Sequence, residues 1–578
     1  MKYKLYENSN NDIYGNIIHT VLNNRGIDDC NKYLNLNKDV IIDYSNLENM
    51  EMAVNVFMNH FMNNEKIYIL VDSDPDGYCS AAMMYLYIKK INTDYPVKYI
   101  LHNKVKSHTL DDIEVPDDAK LLIVPDAGTN DVNECKKIKE KGIDILVLDH
   151  HEKEFDNPHA TIVNNQMSEN YSNKNLCGAG IVYKFLQALD EETWNEYSDD
   201  FLDLVALANI SDVMDMRSFE TRFLVDKGLR NIKNKFFHAI IESQDYSMKG
   251  NVNIHNVQWY ITPLLNGMIR FGTQDEKELL FNAFIEKNKI FEHKKRATKN
   301  KQSEIVYENI YYRVARLCKN AKSRQDKRKD KCVSEIVDII NFSFNDDKII
   351  IMDASDILDD GLTGVVAIKI AEIFKRPCLL LNKKVVDDKI VYGGSGRNIR
   401  YSPIESLKDV VSNADVDVRG HANAFGIVDF PIESKECVVN KLNNLLKDVE
   451  YDSTYKVDFI ISVDDIDVGL IKKLSQFDNI IGQGIEEPLI AVENLNLSRD
   501  DFEIFGKNED TISFKIDDIK FIQFKCKEGN ELYDWLQDAW NDSSDISFNL
   551  VGKPSINEYD GIKIPQIIIE DVNIISFF

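Results

Sequence analysis

The chain has 578 residues, 44% hydrophobic and 29% charged, a composition ordinary for soluble globular protein, and at ~100–200 residues per domain it should form several domains. Its formal net charge of -27 repels polyanions, so contact with nucleic acid would need a locally basic surface or bound cations. Nine cysteines without a CxxC pair argue against a disulfide framework or a zinc ribbon and for a reducing cytoplasm; the start, MKYKLYENSNNDIYGN, has no apolar core of a signal peptide, and no apolar run approaches the ~18 residues of a membrane span, so no membrane contact is expected.

Residues 1–50 read as a mixed and helical N-terminal segment. From Lys66 the pattern changes: KIYILVDSDPDG is a buried strand ending in a polar loop, and CSAAMMYLYIKKI is a helix. KLLIVPDAG and DILVLDHHE repeat the strand-then-loop pattern, which predicts a parallel sheet in an α/β domain over 51–275. A helix over Asp200–Ile210 ends at Ser211-Asp212. The segment Glu286–Lys331 holds sixteen Lys/Arg against six Asp/Glu and no Gly or Pro, predicting a basic helical connector within 276–345. A second α/β domain, again with a parallel-rich sheet, is expected over 346–449 from KIIIMDA and GVVAIKIAEIFKRPCLLL. Over 450–578 short β-type runs such as VDFIISV, TISFKI and KFIQFKC predict a small β-barrel.

Four clusters of carboxylate and imidazole groups fall where strands or helices end. They are Asp72, Asp74 and Asp76 before Gly77; Asp126 with Gly128; Asp149, His150 and His151; and Asp212. The first is not a calcium loop, because its twelfth position is Met83 rather than Glu. Taken singly, each cluster is equally well a turn, a cap or a satisfied core group. Together, the first three sit at the carboxyl ends of successive strands, where open parallel sheets bind ligands. So many carboxylates in one place repel one another unless cations compensate. Oxygen and nitrogen donors without thiolates suit Mn²⁺ or Mg²⁺, and two such ions would activate a water and polarise a phosphoryl oxygen.

At these residues the sequence resembles the DHH phosphoesterase family: Asp149-His150-His151 is its signature, DSDPDG and DAG are similar to its first two motifs, and DLVALANISDVMDM to its fourth. The resemblance implies that Asp74, Asp76, Asp126, His150 and Asp212 hold the two metals, with Asp72, Asp149 and His151 in catalytic support. Further segments narrow it to the RecJ branch. These are LCGAGIVYKF, PLLNGMIRFG with Asn266 and Arg270, GGSGRN, RGHANAFG, and NLVGKPSINEYDGIKIPQIIIEDV near the end. By that resemblance the lobes are a DHH and a DHHA1 domain followed by an OB-like domain. Substrate contacts would come from Asn266, Arg270, Ser395, Gly396, Arg397 and His421, with His421 also near the scissile phosphate.

The resemblance implies a metal-dependent 5′→3′ exonuclease that degrades single-stranded DNA to mononucleotides in repair, recombination or replication. Two other readings stay open: a DHH phosphodiesterase for short oligonucleotides or cyclic dinucleotides, and an inactive replication scaffold. The OB-like domain is markedly acidic, which suits a protein partner such as a single-strand binding protein or a replication component; Phe505, Phe521 and Phe524 are its candidate base-stacking residues.

Overall fold

The computed structural model describes residues 1–102, 109–111, 113–295, 304–343, 347–386, 389–451, 454–527, 529–537, 545–559 and 562–577. It divides into two compact units, residues 31–326 with 482–485, and residues 1–30 with 327–481 and 486–578. Among the described residues no helix is long and apolar enough to cross a membrane.

The first unit is built on a five-stranded, all-parallel sheet. Its strands run in the order Lys98–Leu101, Ile67–Val71, Leu121–Pro125, Asp144–Asp149, Thr161–Asn164. Ile67–Val71 and Leu121–Pro125 are buried at every position, as strands covered on both faces must be. The chain leaves Ile67–Val71 to build one flank and then crosses back to Leu121–Pro125 on the other. That reversal is a topological switch point, and it opens a crevice beyond the carboxyl ends of these two neighbouring strands. The helix Pro75–Ile91 starts directly after the first strand; Pro75 supplies a preset φ at its first position, and the Asp74 carboxylate caps it by accepting from Gly77 N–H. The helix Leu202–Ser211 is apolar around nearly its whole circumference and lies in the core.

Among its described residues the second unit contains two large sheets and a two-stranded pair. The five-stranded one has the order Val418–His421, Ala424–Pro431, Lys389–Arg397, Cys378–Val386, Ile350–Asp353. Only its last pair is parallel, which corrects the expectation of a parallel-rich sheet over 346–449. The cause is connection length: the strand ending at Val386 and the strand starting at Lys389 are too close in sequence for the crossover that parallel strands require. The seven-stranded sheet has the order Phe459–Ser462, Ile490–Ser498, Asp545–Tyr559, Ile562–Phe577, Ile519–Phe524, Thr511–Ile516, Glu503–Phe505. The β-type runs read from the sequence over 450–578 lie in it.

Two expectations change. The N-terminal segment is not simply helical: Lys2–Leu5 is a strand pairing in parallel with Thr454–Val457. The connector is only partly helical. Ile290–Lys295 and Glu304–Asn309 form an antiparallel hairpin before the helix Ile310–Ser343 begins. Ile290, Phe291, Ile305, Val306 and Tyr307 are β-branched or aromatic, and their preference for a pleated surface outweighs the helical look of the charges around them. Part of the basic segment, 296–303, lies outside the described residues.

Candidate metal centre

The switch-point crevice gathers all four clusters. Donor atoms of Asp126, Asp149, His150 and His151 lie within 4.8 Å of one another, as do those of Asp76, His150 and Asp212, and those of Asp72, Asp74 and Asp126. Asp126 belongs to two of these groups and His150 to two, so they form one continuous constellation. His150 Nε2 is 3.3 Å from Asp126 Oδ1, 3.5 Å from Asp212 Oδ2 and 3.9 Å from Asp76 Oδ2.

Close backbone approach makes this density of charge geometrically available. A β-carbon on Gly77 would lie 2.6 Å from Asp72 Cβ, and one on Gly178 would lie 2.6 Å from Asp126 Cβ. Asp126 itself takes a left-handed backbone conformation, φ 63°, which turns its carboxylate out of the strand direction. Val213, next to Asp212, has φ 58°, an outlier for a β-branched residue of the kind that collects at functional sites.

The electrostatics sort the carboxylates into two kinds. Asp149 accepts from Thr129 N–H and Oγ1, from His150 N–H, and from His151 Nδ1 at 2.7 Å. Burial alone would raise its pKa, but the charge and hydrogen bond of His151, with help from His150 and Thr129, hold it well below the carboxylate range. Burial lowers the His151 imidazole, yet Asp149, Asp212 and Asp74 outweigh that and push it up to about 9. The other kind is crowded. Burial and then Asp76, Asp74, Asp72 and Asp212 drive Asp126 well above its ordinary value. Burial and then Asp76 and Asp74 do the same to Asp212, against the pull of His151. Burial and Asp74 raise Asp76 to about 6, even though Ala179 and Gly178 N–H and the Ser80 hydroxyl donate to it.

A divalent cation fits this set. Neither Asp126 oxygen accepts a hydrogen bond from the described residues, although both are buried. A buried carboxylate without donors is costly unless a charge meets it. The donors are hard oxygens and one imidazole, suited to Mn²⁺ or Mg²⁺.

Sequence reading missed the residues that orient this centre. Thr129 fixes Asp149 and is itself held by Asn164, whose amide also donates to His151 O. The N–H groups of Gly178 and Ala179, opening the helix Gly178–Thr193, aim at Asp76 and place a positive helix end there. The run LCGAG carried that signal: glycine at a helix start permits close approach.

Asn266 and Arg270 lie on the helix Thr262–Phe271 of the same unit, half-buried and exposed respectively. The first residue of that helix contacts the end of the helix Leu202–Ser211: Thr262 Oγ1 and Ser211 Oγ, of the residue before Asp212, are 3.0 Å apart. Ser395, Gly396, Arg397 and His421 belong to the second unit. The GGSGR run is strand, not turn. Arg397 Nη1 donates to Gly396 O and Phe425 O, and a β-carbon on Gly364, in the first turn of the helix Thr363–Phe374, would lie 2.5 Å from its Nη2. A guanidinium against a helix N-terminus is an anion-favouring spot. His421 is exposed and pairs with Ala424, which pairs on its other side with Arg397. Of the three phenylalanines, Phe521 is buried in the core, whereas Phe505 and Phe524 are exposed.

Comparison with known proteins agrees with this architecture. Residues 66–209 match the DHH family, N-terminal domain, and residues 457–571 match the RecJ OB domain. The putative SPbeta prophage-derived single-strand DNA-specific exonuclease YorK of Bacillus subtilis (strain 168) is 35% identical over 582 residues, covering 100% of this chain and 98% of the relative. The crystal structure of RecJ in complex with Mn²⁺ from Thermus thermophilus shares the fold, with TM-score 0.70 and 16% identity over 96% of this chain and 76% of that one. The Mg²⁺ complex of the same RecJ has TM-score 0.63 and 16% identity, covering 91% and 70%. With the DHH signature at the switch point, an OB domain later in the chain and a full-length relative of this identity, the chain belongs to the RecJ-like branch of the DHH phosphoesterase family.

Proposed function

We propose that the protein is a divalent-cation-dependent exonuclease that hydrolyses single-stranded DNA from the 5′ end and releases mononucleotides. The observation that carries this reading is Asp126, buried, without hydrogen-bond donors, and shared between two donor groups of the constellation. In this reading Asp74, Asp76, Asp126, His150 and Asp212 hold two Mn²⁺ or Mg²⁺ ions, which supply Lewis acidity toward a phosphoryl oxygen and a water. Asp149 orients His151 through the 2.7 Å hydrogen bond to its Nδ1, so that the imidazole can meet phosphate oxygens. Asp72 fixes the start of the acidic loop against Gly77. Asn266 and Arg270 contact the strand near the centre. Ser395, Gly396 and Arg397 receive a terminal phosphate, and His421 stands beside it.

The test is degradation of a single-stranded oligonucleotide labelled at either end, with Mn²⁺ or Mg²⁺ and with EDTA as control. Metal-dependent release of mononucleotides from the 5′ end is expected. Hydrolysis confined to di- to tetranucleotides would make the protein a small-substrate phosphodiesterase instead, and no hydrolysis would leave a scaffold.

The finer setting follows from charge. Residues 450–578 hold 27 Asp/Glu against 11 Lys/Arg, which suits a basic protein surface better than a DNA backbone. A single-strand binding protein or a replication component is the partner proposed for this domain, to be checked by co-sedimentation at low and high salt. With nine free thiols, the cytoplasm is the compartment proposed.

A further inference from the structure

The helix bearing Asn266 and Arg270 opens with a wide turn. Over Val257–Ile261 the ladder is of the π type, and Thr262 N–H donates to Val257 O, five residues back. Such a turn accommodates one extra residue and rotates what precedes it by ~100° relative to the helix that follows; it costs regular hydrogen bonding and collects at functional sites. Here it separates two roles. Thr262 is buried with its hydroxyl 3.0 Å from that of Ser211, the residue before Asp212, while Trp259 and Tyr260, three and two residues earlier, are 64% and 38% exposed.

Trp259, Pro263, Asn266 and Arg270 are all at least partly exposed, whereas Ile261, Leu264, Leu265 and Met268 are buried. Pro263, Asn266 and Arg270 recur at helical spacing on the solvent side of the helix, and Trp259 is exposed in the π turn that leads into it, so an indole, an amide and a guanidinium follow one another along the chain. The His255 ring lies 6.1 Å from the indole, tilted against it, and the indole keeps most of its surface exposed to solvent.

Resting on the reading of this protein as a single-strand nuclease, we propose that Trp259, assisted by Tyr260, is a base-stacking platform. It would select unpaired bases for the strand that feeds the metal centre. An indole face accepts any base, and only an unpaired, unstacked base offers a free face in return. These residues then supply what a single strand needs in sequence: a ring for a base, an amide for sugar or base edges, and a guanidinium for phosphate. Selection for single strands is thereby placed on this helix, ahead of any contribution from the OB-like domain.

The test uses the full chain in EDTA, where turnover stops, with a short oligo-dT as probe. Binding to the wild type should quench tryptophan fluorescence, and Trp259→Phe should remove most of the quench while retaining binding. With Mn²⁺, Trp259→Ala should raise KM for single strands roughly tenfold with a far smaller effect on kcat. In a scan of single abasic sites, one position should cost the wild type roughly tenfold in KM and cost Trp259→Ala little. An undiminished quench in Trp259→Phe, or an unchanged abasic penalty in Trp259→Ala, overturns the platform. Wild-type protein that shows the quench but releases no nucleotide would remove the exonuclease reading and keep the platform; rapid degradation indifferent to Trp259 would do the reverse. Absence both of oligo-dT binding in EDTA and of turnover with Mn²⁺ overturns both.

Discussion

Gly178 and Asp126 are pressed together so closely that a β-carbon on the glycine would stand 2.6 Å from the aspartate Cβ and 2.7 Å from its Oδ1. The helix Gly178–Thr193 can present its first N–H groups to Asp76 only because this approach is open. Gly178→Ala must displace either the helix start or the Asp126 carboxylate. A displacement near 1 Å at a reacting centre costs on the order of a hundredfold in rate. The expected result is a loss of kcat of that size with a cooperative fold retained by circular dichroism. Wild-type turnover in Gly178→Ala would mean that Asp126 is not position-critical.

Asp126 also makes a prediction about the metal-free protein. Its folded pKa is raised above the ordinary carboxylate value of ~3.9, by burial first and by Asp76, Asp74, Asp72 and Asp212 after it. A carboxyl raised on folding contributes stability that is full below that ordinary value and is lost as pH rises through the folded pKa. Asn does not titrate, and neither Asp126 oxygen has a hydrogen-bond donor to forfeit. In EDTA, Asp126→Asn should therefore melt above the wild type at about pH 8, with the gap closing toward about pH 4. Mn²⁺ should raise the wild-type Tm and do little for the variant, which should be inactive. A lower Tm for Asp126→Asn in EDTA at the alkaline end would contradict the crowding argument.

The acidic cluster was legible in the sequence because strand ends announce themselves: a run such as ILV or LLIVP stops, and an aspartate follows. What placed Asp72, Asp126 and Asp149 in one crevice was strand order, and local periodicity carries no strand order. The same limit explains Lys2–Leu5, a strand whose partner Thr454–Val457 lies far away in the chain. GGSGR was hard to read as strand because interior glycines weaken strands. Gly394, at φ 155°, and Gly396, beneath the Phe425 ring, are tolerated there because a side chain would collide with the neighbouring strand. Trp259 and Tyr260 had no periodic signal at all, since the π-turn breaks the helical phase.

Arg397 is set against the first turn of the helix Thr363–Phe374 and tied to Gly396 O and Phe425 O. Those bonds fix the guanidinium plane, so a terminal phosphate would meet a preset fork. Arg397→Ala should lower the preference for 5′-phosphorylated over 5′-hydroxyl ends by roughly tenfold or more, since a charge-assisted hydrogen bond contributes about 1.5–3 kcal/mol. Arg397→Lys should recover only part of it, because an ammonium lacks the planar fork. Kinetics on paired oligonucleotides differing only in the 5′ group measure this, and an unchanged preference in Arg397→Ala would remove the residue from end recognition.

The N-terminal residues 1–30 are part of the second unit. Arg25 meets Asp458 through two hydrogen bonds of 2.8 and 2.9 Å, and Asn24 donates to the same carboxylate. Asp458 is fully buried and also accepts from Leu489 N–H, where the chain enters the strand Ile490–Ser498. Arg25 further donates to Glu486 O and Glu487 O. Arg25→Ala would leave a buried carboxylate without its counter-charge, a change that costs about 3–5 kcal/mol. Arg25→Met together with Asp458→Leu removes both charges and should be much milder, because the cost lies in the orphaned charge rather than in the lost attraction. Hydrogen exchange reports the site of the damage: amides of Thr454–Val457 and Ile490–Val492 should lose protection in Arg25→Ala, while those of the parallel sheet in the other unit keep theirs. Equal loss in both units would mean that the pair supports the whole chain. No loss in either would mean that the N-terminal strand is carried by its backbone bonds alone.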